Sequence, residues 1–293
     1  MRGRTLSEKY LNGPYRRFFD LAYAASSKSQ RLDLWLPEKD GDGPFPLVIF
    51  FHGGAFRFGD KRGNQSTPVM RSLEKGYAVA DVEYRKSGEK IFPSMLYDAK
   101  AAVRYLKSIA GEYNLDTGRF LAWGPSSGGW LVSMLALTDG LPAFEDLTMG
   151  HGECSSSVCA VVDWCGPCGN FYLMDSDFEK GTAVNEHPHS GPDTPESLFL
   201  GTVVSEAEDL CRLTCPCSYA RADAVPFIII HGDKDGTVPM QQSERLYNAL
   251  VSAGAEDVQL RILPGVPHHG PFWNDNEAIA DITYEFIDRI FAK

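Results

Sequence analysis

What is scarce in this sequence narrows its class first. No stretch approaches the roughly 20 apolar residues that span a bilayer. The opening segment, MRGRTLSEKYLNGPYRRFFD, carries positive charge without the apolar run of about 7–15 residues found in a secretory leader. The expectation is therefore a cytoplasmic protein. Positive charge is the minority overall, with 28 Lys and Arg against 39 Asp and Glu and a formal net charge of −11. Such a surface repels phosphate backbones and anionic lipid, so neither nucleic acid nor a membrane is the expected partner. Neutral esters and carbohydrates stay open as small-molecule or oligosaccharide substrates. Cysteine is missing from residues 1–153 and from everything beyond 217. All seven (Cys154, Cys159, Cys165, Cys168, Cys211, Cys215, Cys217) lie between. An odd number without a leader favours reduced thiols over a disulfide framework. There are no internal repeats.

What is present is an ordinary globular balance, 43% hydrophobic and 23% charged, over a length that one α/β domain can fill. Residues 1–293 are therefore read as a single domain. Arg31–Leu36 alternates polar and apolar residues, as a half-buried strand does. Pro46–Phe51 (PLVIFF) is continuously apolar, which suits a strand covered on both faces. Further strands are expected at Tyr77–Glu83, Arg119–Trp123, Val158–Trp164, Pro226–Ile230 and Val258–Leu263. Between them, Pro93–Ile109, Ser126–Leu137, Gln241–Val251 and Asn276–Phe291 repeat apolar residues at helical spacing. This alternation implies a mostly parallel sheet with helices on both faces. Residues 139–224 break the rhythm. They hold one strand, many loop-forming residues and every cysteine, and read as a cap over the C-terminal edge of the sheet.

Four motifs follow predicted strands. Gly124-Pro125-Ser126-Ser127-Gly128-Gly129 sits where a strand meets a helix, the place of the nucleophile elbow G-x-S-x-G. Register selects Ser126, because Ser127 would need glycine at 125. Alone the pattern is common in a chain with 28 glycines. His52-Gly53-Gly54-Ala55-Phe56 offers backbone N–H groups of Gly54 and Ala55 which, with that of Ser127, suit an oxyanion hole. His52 itself reads as a loop histidine bonded to backbone. His231-Gly232-Asp233-Lys234-Asp235 supplies an acid able to orient a catalytic histidine, and spacing does not separate Asp233 from Asp235. Pro264-Gly265-Val266-Pro267-His268-His269 supplies the base. The order Ser, Asp, His and the common position after strands make the set far more specific than any member.

With these residues in view, the chain resembles the α/β-hydrolase superfamily, in particular the small acetyl esterases that include bifunctional feruloyl and acetyl-xylan esterases. The resemblance runs through VIFFHGGAFRFGDK, NLDTGRFLAWGPSSGGWL, PFIIIHGDKDGTVPMQQSERLYNAL and RILPGVPHHGPFW. It implies a serine hydrolase of short-chain carboxylic esters, on acetylated or feruloylated carbohydrate, working through an acyl-enzyme and needing no cofactor or metal. The family's acid pattern, H-G-x-x-D-x-x-V-P, places the acid at Asp235. Its histidine loop, G-A-G-H-G-G-P, selects His268 and puts His269 where the pattern has glycine. Pro125 also departs from it, standing where a polar or aromatic residue is usual. The same triad would serve an arylformamidase such as kynurenine formamidase. Readings of other classes are a non-catalytic binding module, a redox pair at Cys165-Gly166-Pro167-Cys168, and a zinc site built from the clustered cysteines.

Overall fold

The computed structural model describes residues 6–38, 43–181, 183–270, 273 and 277–292. Its strands are β1 (Arg16–Ala22), β2 (Arg31–Leu36), β3 (Phe45–Phe51), β4 (Ala78–Val82), β5 (Leu115–Pro125), β6 (Ala160–Trp164), β7 (Phe227–Gly232) and β8 (Val258–Leu263). They form one sheet in the order β1-β2-β4-β3-β5-β6-β7-β8. The pairs β1–β2 and β2–β4 are antiparallel, and β4, β3, β5, β6, β7 and β8 run parallel. The helices are α1 (Glu8–Asn12), α2 (Arg71–Glu74), α3 (Ser94–Ser108), α4 (Ala110–Tyr113), α5 (Ser127–Leu137), α6 (Met174–Lys180), α7 (Pro195–Leu200), α8 (Glu208–Leu213), α9 (Gln241–Ser252) and α10 (Glu277–Phe291). None of the described helices is long and apolar enough to cross a membrane.

The continuous apolar run of β3 is explained by burial on both faces. Leu47, Ile49 and Phe51 enter one core cluster, shared with residues of α3, α5 and α9. Val48 and Phe50 point the other way, into a cluster completed by Trp123 of β5 and by Ile279, Phe286 and Ile287 of α10. Two dry faces leave no place for polar alternation. In α3 the predicted stripe of Met95, Ala99, Ala102, Val103 and Leu106 is buried.

Two expectations need correction. Strand β1 lies where none was expected. Its ladder with β2 shifts register between Phe18 and Leu21, and Asp20 adopts φ 58°. This irregularity erases the period-two signal on which recognition rests. The stretch 139–224 is also more ordered than a loop region. Besides β6 it holds α6, α7 and α8, with seven, six and six residues, too short to show a helical period. Phe199 of this stretch stacks on Phe56 at 4.3 Å and meets Trp130 of α5 at 5.0 Å. Trp130 Nε1 donates to the Thr214 carbonyl at 2.7 Å. These contacts set the segment against the loop after β3 and the helix after β5, beyond the C-terminal ends of the central strands.

Candidate active site

Ser126 occupies the turn between β5 and α5 with φ 56° and ψ −124°, a conformation that L-residues adopt only when the surroundings enforce it. The enforcement comes from both sides. The Ser126 amide donates to the Trp164 carbonyl of β6 at 2.7 Å, and its carbonyl accepts from the Trp130 amide at 3.1 Å. A Cβ on Gly124 would lie 2.4 Å from the Gly128 carbonyl carbon, and one on Gly128 would lie 2.1 Å from the Phe51 oxygen. Neither contact is possible, so the elbow needs glycine at both positions.

The loops after β7 and β8 bring the acid and the base to this serine. His268 Nε2 lies 3.0 Å from Ser126 Oγ, and His268 Nδ1 lies 2.5 Å from Asp235 Oδ2. With Nδ1–H donating to the carboxylate, Nε2 is left to accept the serine proton. Asp235 is buried, and its Oδ1 accepts from the amides of Thr237 at 2.9 Å and Val238 at 2.7 Å. Burial by itself would raise this carboxyl, yet the His268 and His231 rings beside it hold it well below the usual carboxylate range. The competing Asp233 has another task. Its Oδ1 accepts from the Gly265 amide at 2.7 Å, tying the acid loop to the histidine loop.

His231 is a neighbour of this trio that sequence reasoning did not single out. Fully buried at the end of β7, it presents Nε2 to Asp235 Oδ2 at 3.0 Å and to the Val238 carbonyl at 3.0 Å. Ser243 Oγ meets its Nδ1 at 2.7 Å. Both partners of Nε2 are acceptors, so the ring proton belongs there. The H-G-x-x-D spacing was the available signal, because it puts the histidine at the strand end from which the acid loop departs.

The predicted oxyanion loop lies beside the elbow. A Cβ on Gly53 would meet Pro125 O at 2.7 Å, and Gly54 has φ 139°. Ala55 and Phe56 keep positive φ, 52° and 60°, without being glycine. Gly54 and Ala55 line the same cleft as Ser126 and His268. Ser127, buried, opens α5, so its amide has no intrahelical carbonyl to bond. His52 holds this loop from behind. Its Nδ1 donates to the Gly53 carbonyl at 2.8 Å, and its ring stacks on Tyr84 at 4.5 Å.

The cleft has a volume of about 280 Å³ and is walled by Phe58, Gln65, Trp164, Cys165, His269 and Trp273. A larger groove, about 900 Å³, is bordered by Tyr23, Arg85, Asp146 and His151 and contains none of the three residues above. All seven cysteines are free. Burial pushes the Cys165 and Cys168 thiols far up, reinforced by Asp235 and Asp163 respectively, the reverse of what a redox nucleophile needs. Among the described residues the converging metal-ligating trio is Cys165, Asp235 and His268, two of which already bond to each other. The thiols of Cys215 and Cys217 instead donate to the carbonyls of Gly169 at 2.7 Å and Cys168 at 3.2 Å.

A family model described as BD-FAE matches residues 32–250. The chain is 29% identical over 251 residues to the probable carboxylic ester hydrolase LipM of Mycobacterium tuberculosis, covering 85% of this chain and 55% of LipM. It is 28% identical over 273 residues to the esterase LipQ of the same organism, covering 91% and 61%. The chain thus spans little more than half the length of these curated relatives. Among solved structures, a truncated form of a carbohydrate esterase from gut microbiota superposes with a TM-score of 0.84 at 29% identity, covering 99% of this chain and 100% of that one.

Proposed function

The chain belongs to the BD-FAE family and has the α/β-hydrolase fold, and from that premise we propose that it is a serine hydrolase of carboxylic esters with short acyl groups. The observation that carries this reading is the hydrogen-bonded series Ser126–His268–Asp235 opening into a cleft. Ser126 Oγ attacks the ester carbonyl while His268 Nε2 takes its proton. The tetrahedral oxyanion is held by the amides of Gly54, Ala55 and Ser127. Collapse expels the alcohol, which takes the proton back from His268. Water then attacks the acyl-serine with the same histidine as base.

A cleft of about 280 Å³ walled by Phe58, Trp164 and Trp273 suits a small acyl group. The likeness to carbohydrate and carboxylic esterases supports an acetylated carbohydrate as the ester. In this reading residues 1–293 work as one domain with 139–224 as its cap, and a reducing cytoplasmic setting matches the seven free thiols.

The test is hydrolysis of 4-nitrophenyl acetate by wild type and by Ser126→Ala. The expected outcome is activity in the first and a loss of at least about 10³-fold in kcat in the second. Equal rates would remove Ser126 from the mechanism.

A further inference from the structure

The alcohol oxygen of the ester must come within hydrogen-bond reach of His268 Nε2, because that nitrogen returns the proton to it. A side chain packed against the His268 ring and facing the cleft therefore meets the alcohol half of the substrate rather than the acyl half. His269 is such a side chain. Its ring centroid is 4.5 Å from that of His268, with the planes at 84°, and it lines the cleft while remaining exposed. Among the described residues its ring makes no hydrogen bond. Partial desolvation of the ring on its cleft side lowers its pKa, and the His268 ring beside it lowers it further, both of which favour the neutral imidazole. A neutral imidazole offers one donor and one acceptor, the complement of a hydroxyl group.

The rim beside it is polar as well. Thr237 lines the same cleft, and its hydroxyl donates to Glu186 Oε2 at 3.3 Å. The Glu186 amide donates to the Gly236 carbonyl at 2.8 Å, which fastens the segment around residue 186 to the acid loop. An alkyl alcohol would offer the His269 ring no hydrogen-bond partner. An alcohol carrying further hydroxyls would supply one.

We propose that His269 is a specificity-determining residue that hydrogen-bonds a free hydroxyl of a polyhydroxylated leaving alcohol, such as a sugar ring, with Thr237 and Glu186 forming the adjoining rim. The inference rests on the esterase reading above.

The experiment compares two acetates whose leaving groups are six-membered rings, a monoacetylated methyl pyranoside with free hydroxyls and cyclohexyl acetate with none. Acetate release is followed for wild type, His269→Gly and His269→Gln. The expected result is a fall of about 10-fold in kcat/KM on the pyranoside ester for His269→Gly, carried mainly by KM, and of less than about 3-fold on cyclohexyl acetate. His269→Gln, which keeps a donor and an acceptor, should retain more of the pyranoside activity. Equal falls on both substrates would overturn the proposal, since the ring would then act through His268. No fall, or a wild type that prefers cyclohexyl acetate, would overturn it while leaving the esterase reading intact. A wild type inactive on both and on 4-nitrophenyl acetate would overturn the esterase reading itself, and this inference with it.

Discussion

At the scale of single residues, Asp235 shows how much support one carboxylate requires. Two backbone amides hold Oδ1, and two histidines share Oδ2. His231 touches no substrate-facing surface, so it is a positioning residue for Asp235. His231→Gln should lower kcat about 10-fold with little change in KM, the signature of a misplaced acid rather than a lost binding contact. Steady-state kinetics on 4-nitrophenyl acetate check this, and a change confined to KM would contradict it. Spacing alone left Asp233 and Asp235 as equals because they stand two residues apart in one turn. Their difference is geometric. One turns to His268 and the other to the Gly265 amide, which depends on where the β8 loop lies in space.

At the scale of elements, α3 was legible in its apolar stripe and illegible in its charges. Lys100 and Arg104 are buried, although charged residues on a surface helix ordinarily face water. Both converge on Glu145, at 3.0 Å and 2.6 Å, and burial lowers the Lys100 ammonium pKa. The Ser156 hydroxyl also donates to Glu145 at 2.6 Å. Removing the one anion would strand two cations out of water. Glu145→Ala should therefore cost about 3 kcal/mol of folding stability, seen as a lower urea midpoint, whereas a surface ion pair would give less than about 1 kcal/mol. The partner of this pair of cations lies about 40 residues downstream in a stretch without periodicity, which is why the helix pattern could not announce it. Strand β1 and the short helices α6 to α8 escaped notice for related reasons. A bulge or a single turn or two of helix leaves too few repeats for a period to emerge.

At the scale of the whole molecule, stability should carry a pH signature from the centre of the sheet. Asp81 on β4 is fully buried, and among the described residues Oδ1 has no hydrogen-bond partner. Burial raises its pKa to about 6 despite the Arg62 amide and the Ser66 hydroxyl on Oδ2. Because the folded value lies above the unfolded one, near 4, the folded state binds the proton more tightly. The contribution is therefore complete below about pH 4 and is lost as pH rises through about 6, a swing of about 3 kcal/mol. Asp81→Asn removes the titration. Its stability relative to wild type should rise between pH 4.5 and pH 7, measured by urea unfolding at both values. A constant difference would show that Asp81 is not the group responsible.

The sequence by itself determined the α/β class, the two-faced burial of β3 and the strand ends that carry Ser126, the Asp233/Asp235 turn and the His268-His269 loop, because period and turn chemistry are local properties of a chain. Only the tertiary structure decided the strand order β2-β4-β3, the approach of His268 to Ser126 across 142 positions of sequence and the service of His231 to the acid. It also decided that Cys165 lines the cleft. These are distances between segments remote in sequence. They are set by how the crossovers pack the sheet and its helices, and nothing in the periodicity of any one segment records them.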